Sequence, residues 1–328
     1  IIEGRKLSDI INTDRENPRY LPGCKIPQNV VASSDAQEVA KNADILVICV
    51  PRFHLEKLLS FIKPVIKAGA VAVSLIQGHG PGKVRDGKPC LASSEIQEAL
   101  GGVPTAVLVG ANVSHEVAEG YFCEATLATD SGDDDNLLGL LFHRPSFQVR
   151  QVHDIAGAEM ASTLNCVIGL AAGLCDGLGL GGNTKAAIIR IGLLEVERFT
   201  SSFFPSAKRE TLFESCGVAG LISISMSSGD KHRRSAEIFA KQLALTKRLV
   251  ENAKAPVQVQ DWPSFSAAVW KNIEENELAG ASVWGVETLR TIWPLVLEKS
   301  LQNELRLMAS LHRIVICGEA PSMLVQTL

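Results

Sequence analysis

The sequence has 328 residues, which is enough to bury a sizeable core in one large domain or two smaller ones. Its composition, 46% hydrophobic and 21% charged, is typical of a soluble globular protein. The formal net charge of -4 gives no reason to expect nucleic acid or an anionic membrane as a partner.

The first 150 residues alternate short apolar runs with polar, helix-like stretches. Strands are predicted at residues 43–50, 71–76 and 105–109, and a capped helix start at residues 34–40. Such alternation indicates a parallel sheet with helices on both faces. Ligands of these sheets bind beyond the strand C-termini, so the rim is predicted to hold Pro51 to His54, Gln77 to His79 and Gly110 to Asn112.

The strand pattern ends near residue 152. Residues 156–174 are apolar and rich in Ala and Gly, the composition of a helix packed closely on others. Residues 185–199 and 235–252 predict amphipathic helices. Residues 254–312 show no regular pattern and are predicted to be irregular.

A GxGxxG string occurs at Gly177, Gly179 and Gly182. It follows a helical stretch and not a strand, which favours a loop between two helices over a pyrophosphate site. No glycine motif lies before residue 50, where a dinucleotide-binding sheet needs one. We therefore expect the sheet domain to be N-terminally incomplete, lacking its first strand and its glycine motif.

The cysteines and the apolar runs indicate the cellular compartment in which the protein is expected. Eight cysteines lie outside any CxxC pair, several in apolar runs such as Cys49 in ILVICV, which favours buried, reduced thiols over disulfides or a metal site. The longest weakly polar stretch, residues 166–182, is interrupted by Asp176, which favours a buried helix and loop over a membrane-spanning segment. No signal peptide is visible. Because the first residue is Ile and not Met, however, the sequence leaves targeting open. We expect a soluble intracellular protein and leave its compartment, cytoplasm or an organelle, open.

Six stretches resemble one enzyme family in order along the chain: IINTDRENPRYLPG (10–23), ADILVICVP (43–51), VSLIQG (73–78), VLVGANVSHEVA (107–118), LCDGLGLGGNTKAAIIRIGLLE (174–195) and FESCGVAG (213–220). HRIVICGEAPSMLV (312–325) resembles the family's last helical region. The sequence is thus similar to the NAD-dependent glycerol-3-phosphate dehydrogenases. The resemblance implies a Rossmann-type sheet domain over residues 1–151, then an all-α, 6-phosphogluconate-dehydrogenase-like domain over residues 152–328 with an insertion at 254–312.

The family interconverts dihydroxyacetone phosphate and glycerol 3-phosphate with NAD(H), a reaction that suits a lysine with acidic support. The resemblance places the family's two lysines on Asn165 and Gln77, its aspartate on Gly220 and its threonine on Ile224. Asn and Gln cannot transfer a proton at neutral pH, Gly has no side chain and Ile has no hydroxyl. The sequence therefore predicts a pseudoenzyme.

The resemblance also assigns weaker sites. The family's cofactor contacts fall on Pro51, Phe53, Gly110 and Ala111 and are predicted to be vestigial, with NAD not bound or not used. The phosphate contacts fall near Lys231, His232 and Arg233 and at Asn183 and Lys185. Each group could bind an anion, or could be a charged surface loop and a solvated lysine at a helix start.

Histidines offer a further set of candidates. His54 and His79 lie at predicted strand ends, but no partner carboxylate lies at a useful spacing, so we interpret them as surface or satisfied polar residues. His153 and Asp154 are adjacent, and we interpret them as a helix start with Asp154 near the N-terminal dipole.

Two functions remain open. The first is a catalytically silent relative with a structural, assembly or interaction role. Its tryptophans in 254–312 (Trp262, Trp270, Trp284, Trp293) then form a partner surface, and a homodimer is one such assembly. Those tryptophans could instead pack onto the helical domain. The second is an active dehydrogenase with re-purposed residues. The substitutions favour the first.

Overall fold

The computed structural model describes residues 2, 4–77, 84–130, 135–252 and 261–326. Contacts divide the chain into two units. The first unit comprises Ile1–Leu75, Ala92–Leu108 and Asn112–His153, and the second comprises Ile76–Leu91, Val109–Ala111 and Asp154–Leu328. The predicted fold class, a parallel Rossmann-type sheet followed by a helical domain, is confirmed.

The first unit is built on a five-stranded sheet of order β3-β4-β7-β8-β9, in which β3 and β4, β4 and β7, and β8 and β9 pair in parallel. Separate hairpins join β1 to β2 and β5 to β6. The strands are β1 (Glu16–Asn17), β2 (Leu21–Lys25), β3 (Ile45–Ile48), β4 (Val71–Ser74), β5 (Val84–Arg85), β6 (Lys88–Pro89), β7 (Thr105–Val109), β8 (Cys123–Ala128) and β9 (Phe147–Val152).

The three predicted strands are confirmed as β3, β4 and β7. Apolar side chains on one face of the sheet are buried: Val73, Ala106 and, from β8, Leu127 lie in one cluster with Leu138 of a helix. The prediction that Cys49 is buried was wrong. Cys49 is exposed and follows the last residue of β3, which is an edge strand of the sheet.

The described part of the first unit contains six helices, and the second begins as predicted because the Asp35 side chain accepts from the N–H groups of Gln37 and Glu38. The helices of the first unit are α1 (Leu7–Asp14), α2 (Ala36–Ala40), α3 (Arg52–Ile62), α4 (Ala92–Ala99), α5 (Ser114–Ala118) and α6 (Asp135–Phe142), with a 3₁₀ turn at Lys63–Val65.

The second unit is mainly helical, as expected. Its helices are α7 (Ile155–Gly177), α8 (Gly182–Phe203), α9 (Gly220–Met226), α10 (Lys231–Glu251), α11 (Trp262–Glu277), α12 (Trp284–Glu298), α13 (Arg306–Leu311) and α14 (Met323–Gln326). Two π-helical turns, Ser215–Ala219 and His312–Ile316, and two 3₁₀ turns, Arg209–Phe213 and Leu301–Asn303, lie between them.

Helix α7 is the core of this unit. It is long and apolar enough to cross a membrane by length and composition, but 89% of its most apolar stretch is buried inside the protein. Its glycines allow close packing: a Cβ on Gly173 would overlap the carbonyl oxygen of Arg233, and one on Gly177 would lie 2.6 Å from that of Glu237. The prediction of a closely packed Gly/Ala helix is confirmed.

The GxGxxG string is a connection between helices, as predicted. Gly177 ends α7, Gly182 begins α8, and Gly179 between them has φ +67°, a conformation that glycine adopts without strain.

The prediction of an irregular segment at 254–312 was wrong for its described part, which contains α11, α12 and α13. The tryptophans pack within the second unit, to which this segment belongs. Trp270 is buried, stacks on Phe239 at 4.3 Å and donates from its ring N–H to the carbonyl of Val315, while Trp293 stacks on His312. Neither Trp262 nor Trp284 is fully exposed.

Candidate functional site

The first candidate position, Asn165, lies in the middle of α7 and is 1% exposed. Its side-chain nitrogen donates two hydrogen bonds of 3.0 Å, to the carbonyl oxygens of Cys216 and Gly217. An amide nitrogen carries two protons, so both are used within the protein. The Asn165 oxygen is buried and makes no hydrogen bond within the described structure. The amide therefore fastens the π-helical turn to α7.

The next two positions, Gly220 and Ile224, lie on α9 beside this amide. A Cβ on Gly220 would lie 3.1 Å from the Asn165 nitrogen and 3.2 Å from the carbonyl oxygen of Ser215. The Ile224 side chain fills the space over Gly169, where a Cβ would overlap it. The structure thus brings Asn165, Gly220 and Ile224 together, and Ile224 makes the α9 side of the site apolar.

The fourth position, Gln77, lies in the same unit but is tied to another loop. Its side-chain nitrogen donates to the carbonyl oxygen of Gly110 at 3.3 Å. The N–H of Ala111 donates to the hydroxyl of Ser215 at 3.3 Å, which connects this loop to the π-helical turn. The sequence did not single out Ser215 as a link, because its partner lies 104 residues away.

The predicted phosphate contacts Lys231, His232 and Arg233 open α10, where the Asp230 side chain accepts from the N–H groups of His232 and Arg233. Lys231 lies 5.8 Å from the centre of the Trp284 ring, and burial lowers its pKa. His232 is buried, and its Nδ1 accepts from the N–H of Gly285 at 3.4 Å. Lys231 and His232 thus contact different neighbours, and the structure does not show them arranged around a shared anion site.

Arg233 is instead part of an ion-pair network with Lys185. Asp176, at the end of α7, pairs with Arg233 and, at 2.5 Å, with Lys185. The side chains of Arg233 and Lys185 are 12% and 17% exposed. Lys185 is therefore not a solvated lysine at a helix start, which was one of the two interpretations of the sequence. Asn183, in the first turn of α8, is exposed. From the sequence, Asp176 was interpreted only as an interruption of an apolar run. A carboxylate in the last turn of a helix is opposed by the helix dipole, so a cationic partner could have been expected.

The rim positions of the first unit are more open. Pro51 precedes the first residue of α3, and the Phe53 ring is 64% exposed and lies 4.1 Å from that of His54. His54 therefore belongs to a helix and not to a strand end. His79 lies outside the described residues.

Asp154 is the N-cap of α7, as predicted. Its carboxylate accepts from the N–H groups of Gly157 and Lys208 and from the Thr211 hydroxyl, at 2.9, 2.8 and 2.6 Å. His153 contacts Thr129 at 3.4 Å. The pair is a helix start and not a base dyad.

The chemistry open to this arrangement is limited. Within the described residues, the Asn165 and Gln77 side chains bond only to backbone carbonyls, and neither amide can give or take a proton at neutral pH. The thiol next to Asn165 does not replace them, because burial raises the pKa of Cys166 to about 12. No group of three or more potential metal ligands is found in the described part of the chain.

Comparison with known sequences decides the family. The profile described as NAD-dependent glycerol-3-phosphate dehydrogenase N-terminus matches residues 2–134, and its C-terminus counterpart matches residues 154–326. The chain belongs to the NAD-dependent glycerol-3-phosphate dehydrogenase family. The resemblance inferred from the sequence stretches is thereby confirmed over both matched ranges.

Individual relatives agree with this family. The chain is 36% identical over 321 residues, 97% of its length and 83% of the relative, to the cytoplasmic glycerol-3-phosphate dehydrogenase [NAD(+)] of Rattus norvegicus. The glycerol-3-phosphate dehydrogenase structure from Plasmodium falciparum matches with a TM-score of 0.84 at 33% identity, covering 98% of this chain and 83% of that one. The Dunaliella salina structure gives 0.83 and 33%, and the chain spans 52% of its length.

Proposed function

We propose that this glycerol-3-phosphate dehydrogenase family member does not catalyse the family reaction and has a structural, assembly or interaction role. The observation that carries the proposal is the state of Asn165, whose two amide protons are both bound to backbone carbonyls. Gly220, which has no side chain, and the apolar Ile224 lie beside it.

The family reaction requires a proton donor. Reduction of dihydroxyacetone phosphate puts a proton on the carbonyl oxygen while nicotinamide supplies a hydride to the carbon. Losing one preorganised donor typically slows an enzyme about 100- to 1000-fold. Such losses are not additive. Even so, an engaged amide at Asn165, another at Gln77 and no side chain at Gly220 leave the described site without an acid of the family type.

NAD fits the described residues only in part. The exposed Phe53 ring lies beyond β3 and could contact a flat ligand. However, the turn after β3 contains no glycine and the turn after β7 contains one, Gly110, so neither described turn forms a glycine-rich phosphate cradle. We therefore propose that the described residues contribute little affinity for NAD.

An active NAD-dependent glycerol-3-phosphate dehydrogenase is the second candidate, and the comparisons favour it. Relatives at 36–37% identity are named as such enzymes. Lys231, at the start of α10, is half-buried, and burial lowers its pKa, so one cation of the second unit could give up a proton more easily than a free lysine. In this alternative the chain interconverts glycerol 3-phosphate and dihydroxyacetone phosphate with re-purposed residues.

Partners and compartment are also proposals. Trp270 is buried within the second unit, so a partner contact there would need other side chains. Phe213, Ile222 and Met226 are 69%, 48% and 61% exposed and offer apolar surface for a second protein molecule, including a second copy of this chain. We propose the cytoplasm, following the relatives' names.

Restoration of the lost groups tests the proposal. We expect the full chain to show no reduction of dihydroxyacetone phosphate with NADH, and the triple variant Asn165→Lys, Gln77→Lys, Gly220→Asp to gain measurable turnover. Gly220→Asp fits with a shift of a few tenths of an ångström, given the 3.1–3.2 Å contacts of its Cβ. The matched control replaces Asn165→Lys by Asn165→Gln, which fills similar space without an acid, and should remain silent.

Turnover by the unmodified chain at a rate near that of the rat relative would overturn the proposal and support the second candidate. Equal rates for the lysine and glutamine variants would contradict the role given to Asn165. Circular dichroism on each variant excludes unfolding as the cause of a silent result.

A further inference from the structure

A surface cavity of about 340 Å³ lies within the second unit, and none of the residues of the candidate site lines it. Its size falls in the range of about 300–1,000 Å³ that is usual for small-molecule sites. Three segments form its walls: the 3₁₀ turn Leu301–Asn303, the helical run from α13 into the π-helical turn His312–Ile316, and α14.

One helical face forms the centre of the cavity. Its residues Arg306, Ala309, Ser310 and Arg313 follow one another at the three- and four-residue spacing that places side chains on the same side of a helix. The two small residues lie between the two long ones, so the face is lowest in its middle. The cavity is therefore a depression with an arginine at each end.

Arg306 has donors to spare. Its side chain is exposed, and its Nε donates to the carbonyl oxygen of Asn303 at 3.3 Å, which orients the guanidinium. Within the part of the chain that the structure describes, the terminal nitrogens Nη1 and Nη2 have no hydrogen-bond or ion-pair partner. Two nitrogens of one guanidinium can bind an anion as a planar fork.

Arg313 is held in place by a carboxylate. Its Nε donates to Glu319 Oε1 at 2.9 Å, and its Nη2 lies 2.6 Å from Glu319 Oε2. This two-point contact fixes the plane of the guanidinium and leaves Nη1 without a partner among the described residues. The second arginine thus adds an oriented donor, while most of the net positive charge comes from Arg306.

The rest of the lining is polar and uncharged. Gln302, Asn303 and Gln326 contribute amide groups, Ala309 is the one apolar side chain, and no acidic or aromatic residue is found among the described residues of the lining. Amides suit hydroxyl groups, because they both donate and accept hydrogen bonds. The cavity is larger than inorganic phosphate needs, so its ligand has an organic part. Without an aromatic wall, that part is hydrophilic.

We propose that this cavity binds a small hydroxylated phosphate ester, with the phosphate on Arg306 and Arg313 and the hydroxyl groups on the amide side chains. The site does not depend on whether the chain is an active dehydrogenase, because its residues are not those of the candidate site.

Isothermal titration calorimetry of the full chain with glucose 6-phosphate tests the proposal, with glucose as the uncharged comparison. We expect binding of glucose 6-phosphate that weakens with added salt, and no measurable binding of glucose. Arg306→Gln should weaken binding about 10- to 100-fold, because hydrogen bonds between charged groups are lost. Arg248→Gln is the matched control: Arg248 is an exposed arginine of α10 that does not line the cavity, and its loss should leave the affinity unchanged.

A second variant tests the location without removing a charge. Ala309→Leu extends a side chain into the middle of the cavity and should also weaken binding. The proposal is overturned if the unmodified chain does not bind glucose 6-phosphate, or if Arg306→Gln and Arg248→Gln weaken binding equally, which would indicate a general charge effect. An Ala309→Leu variant that binds as tightly as the unmodified chain would contradict the cavity as the site.

Discussion

At the scale of single residues, Asn165 has a structural role that a lysine at the same position would not have. A lysine carries a proton that it can lose, whereas the Asn165 amide has two protons that serve only as hydrogen-bond donors. Both bind carbonyls of a π-helical turn, a conformation that is rare and is often found at functional sites. The side chain therefore stabilises the shape of the site without providing its chemistry.

Replacing Asn165 with its isosteric acid tests this structural role. An ionised carboxylate can accept hydrogen bonds but cannot donate them, and Asn165→Asp places one beside two carbonyl oxygens. We therefore expect a loss of about 2 kcal/mol or more in the free energy of unfolding at pH 8. The pKa of the new carboxyl should be raised, so the variant should lose stability as pH rises through its folded-state pKa. Urea unfolding at pH 5 and pH 8 measures this.

Asn165→Ala is the control, since it removes the same hydrogen bonds without adding a charge. It should be destabilised by a similar amount at both pH values. An Asn165→Asp variant as stable as the unmodified chain at pH 8 would show that the amide protons do not hold the turn.

At the level of the helices, the contact between α7 and α10 depends on missing side chains. Gly173 brings α7 against the backbone of α10, where a Cβ would overlap the carbonyl oxygen of Arg233. We expect Gly173→Ala to lower the free energy of unfolding by about 1–3 kcal/mol, because the helices must separate.

Gly182 provides the matched control for Gly173. It lies in the first turn of α8, and a Cβ there would meet no atom within 4 Å. Gly182→Ala should be neutral or stabilise by up to about 1 kcal/mol. Thermal unfolding of both variants is the measurement, and equal effects would mean that the close helix contact does not determine the cost.

The same helices show what the sequence can predict. Local patterns predicted β3, β4, β7 and α7, because burial and periodicity along a short segment determine them. The segment at 254–312 was misjudged, since α11 and α12 are held by distant partners such as Phe239 and Val315. For the same reason, sequence alone could name Asn165, Gly220 and Ile224 as substituted positions, but not the bonds between Asn165 and the turn 51 and 52 residues away.

Across the whole molecule, the family framework is retained. The family profiles cover nearly the entire chain, and the solved family structures match with TM-scores of 0.83 and 0.84. The positions at which the family resemblance places proton transfer and substrate contact hold Asn165, Gln77, Gly220 and Ile224 instead. Because fold does not imply function, these positions are what supports the proposed structural, assembly or interaction role.

The central claim is that this chain does not reduce dihydroxyacetone phosphate. The most direct measurement is NADH oxidation by the full chain and by the rat relative, side by side at equal concentration, with saturating dihydroxyacetone phosphate. We predict a rate for this chain at least about 1000-fold below that of the relative, which is the upper end of the loss expected from a single preorganised donor. A rate within tenfold of the relative would contradict the account.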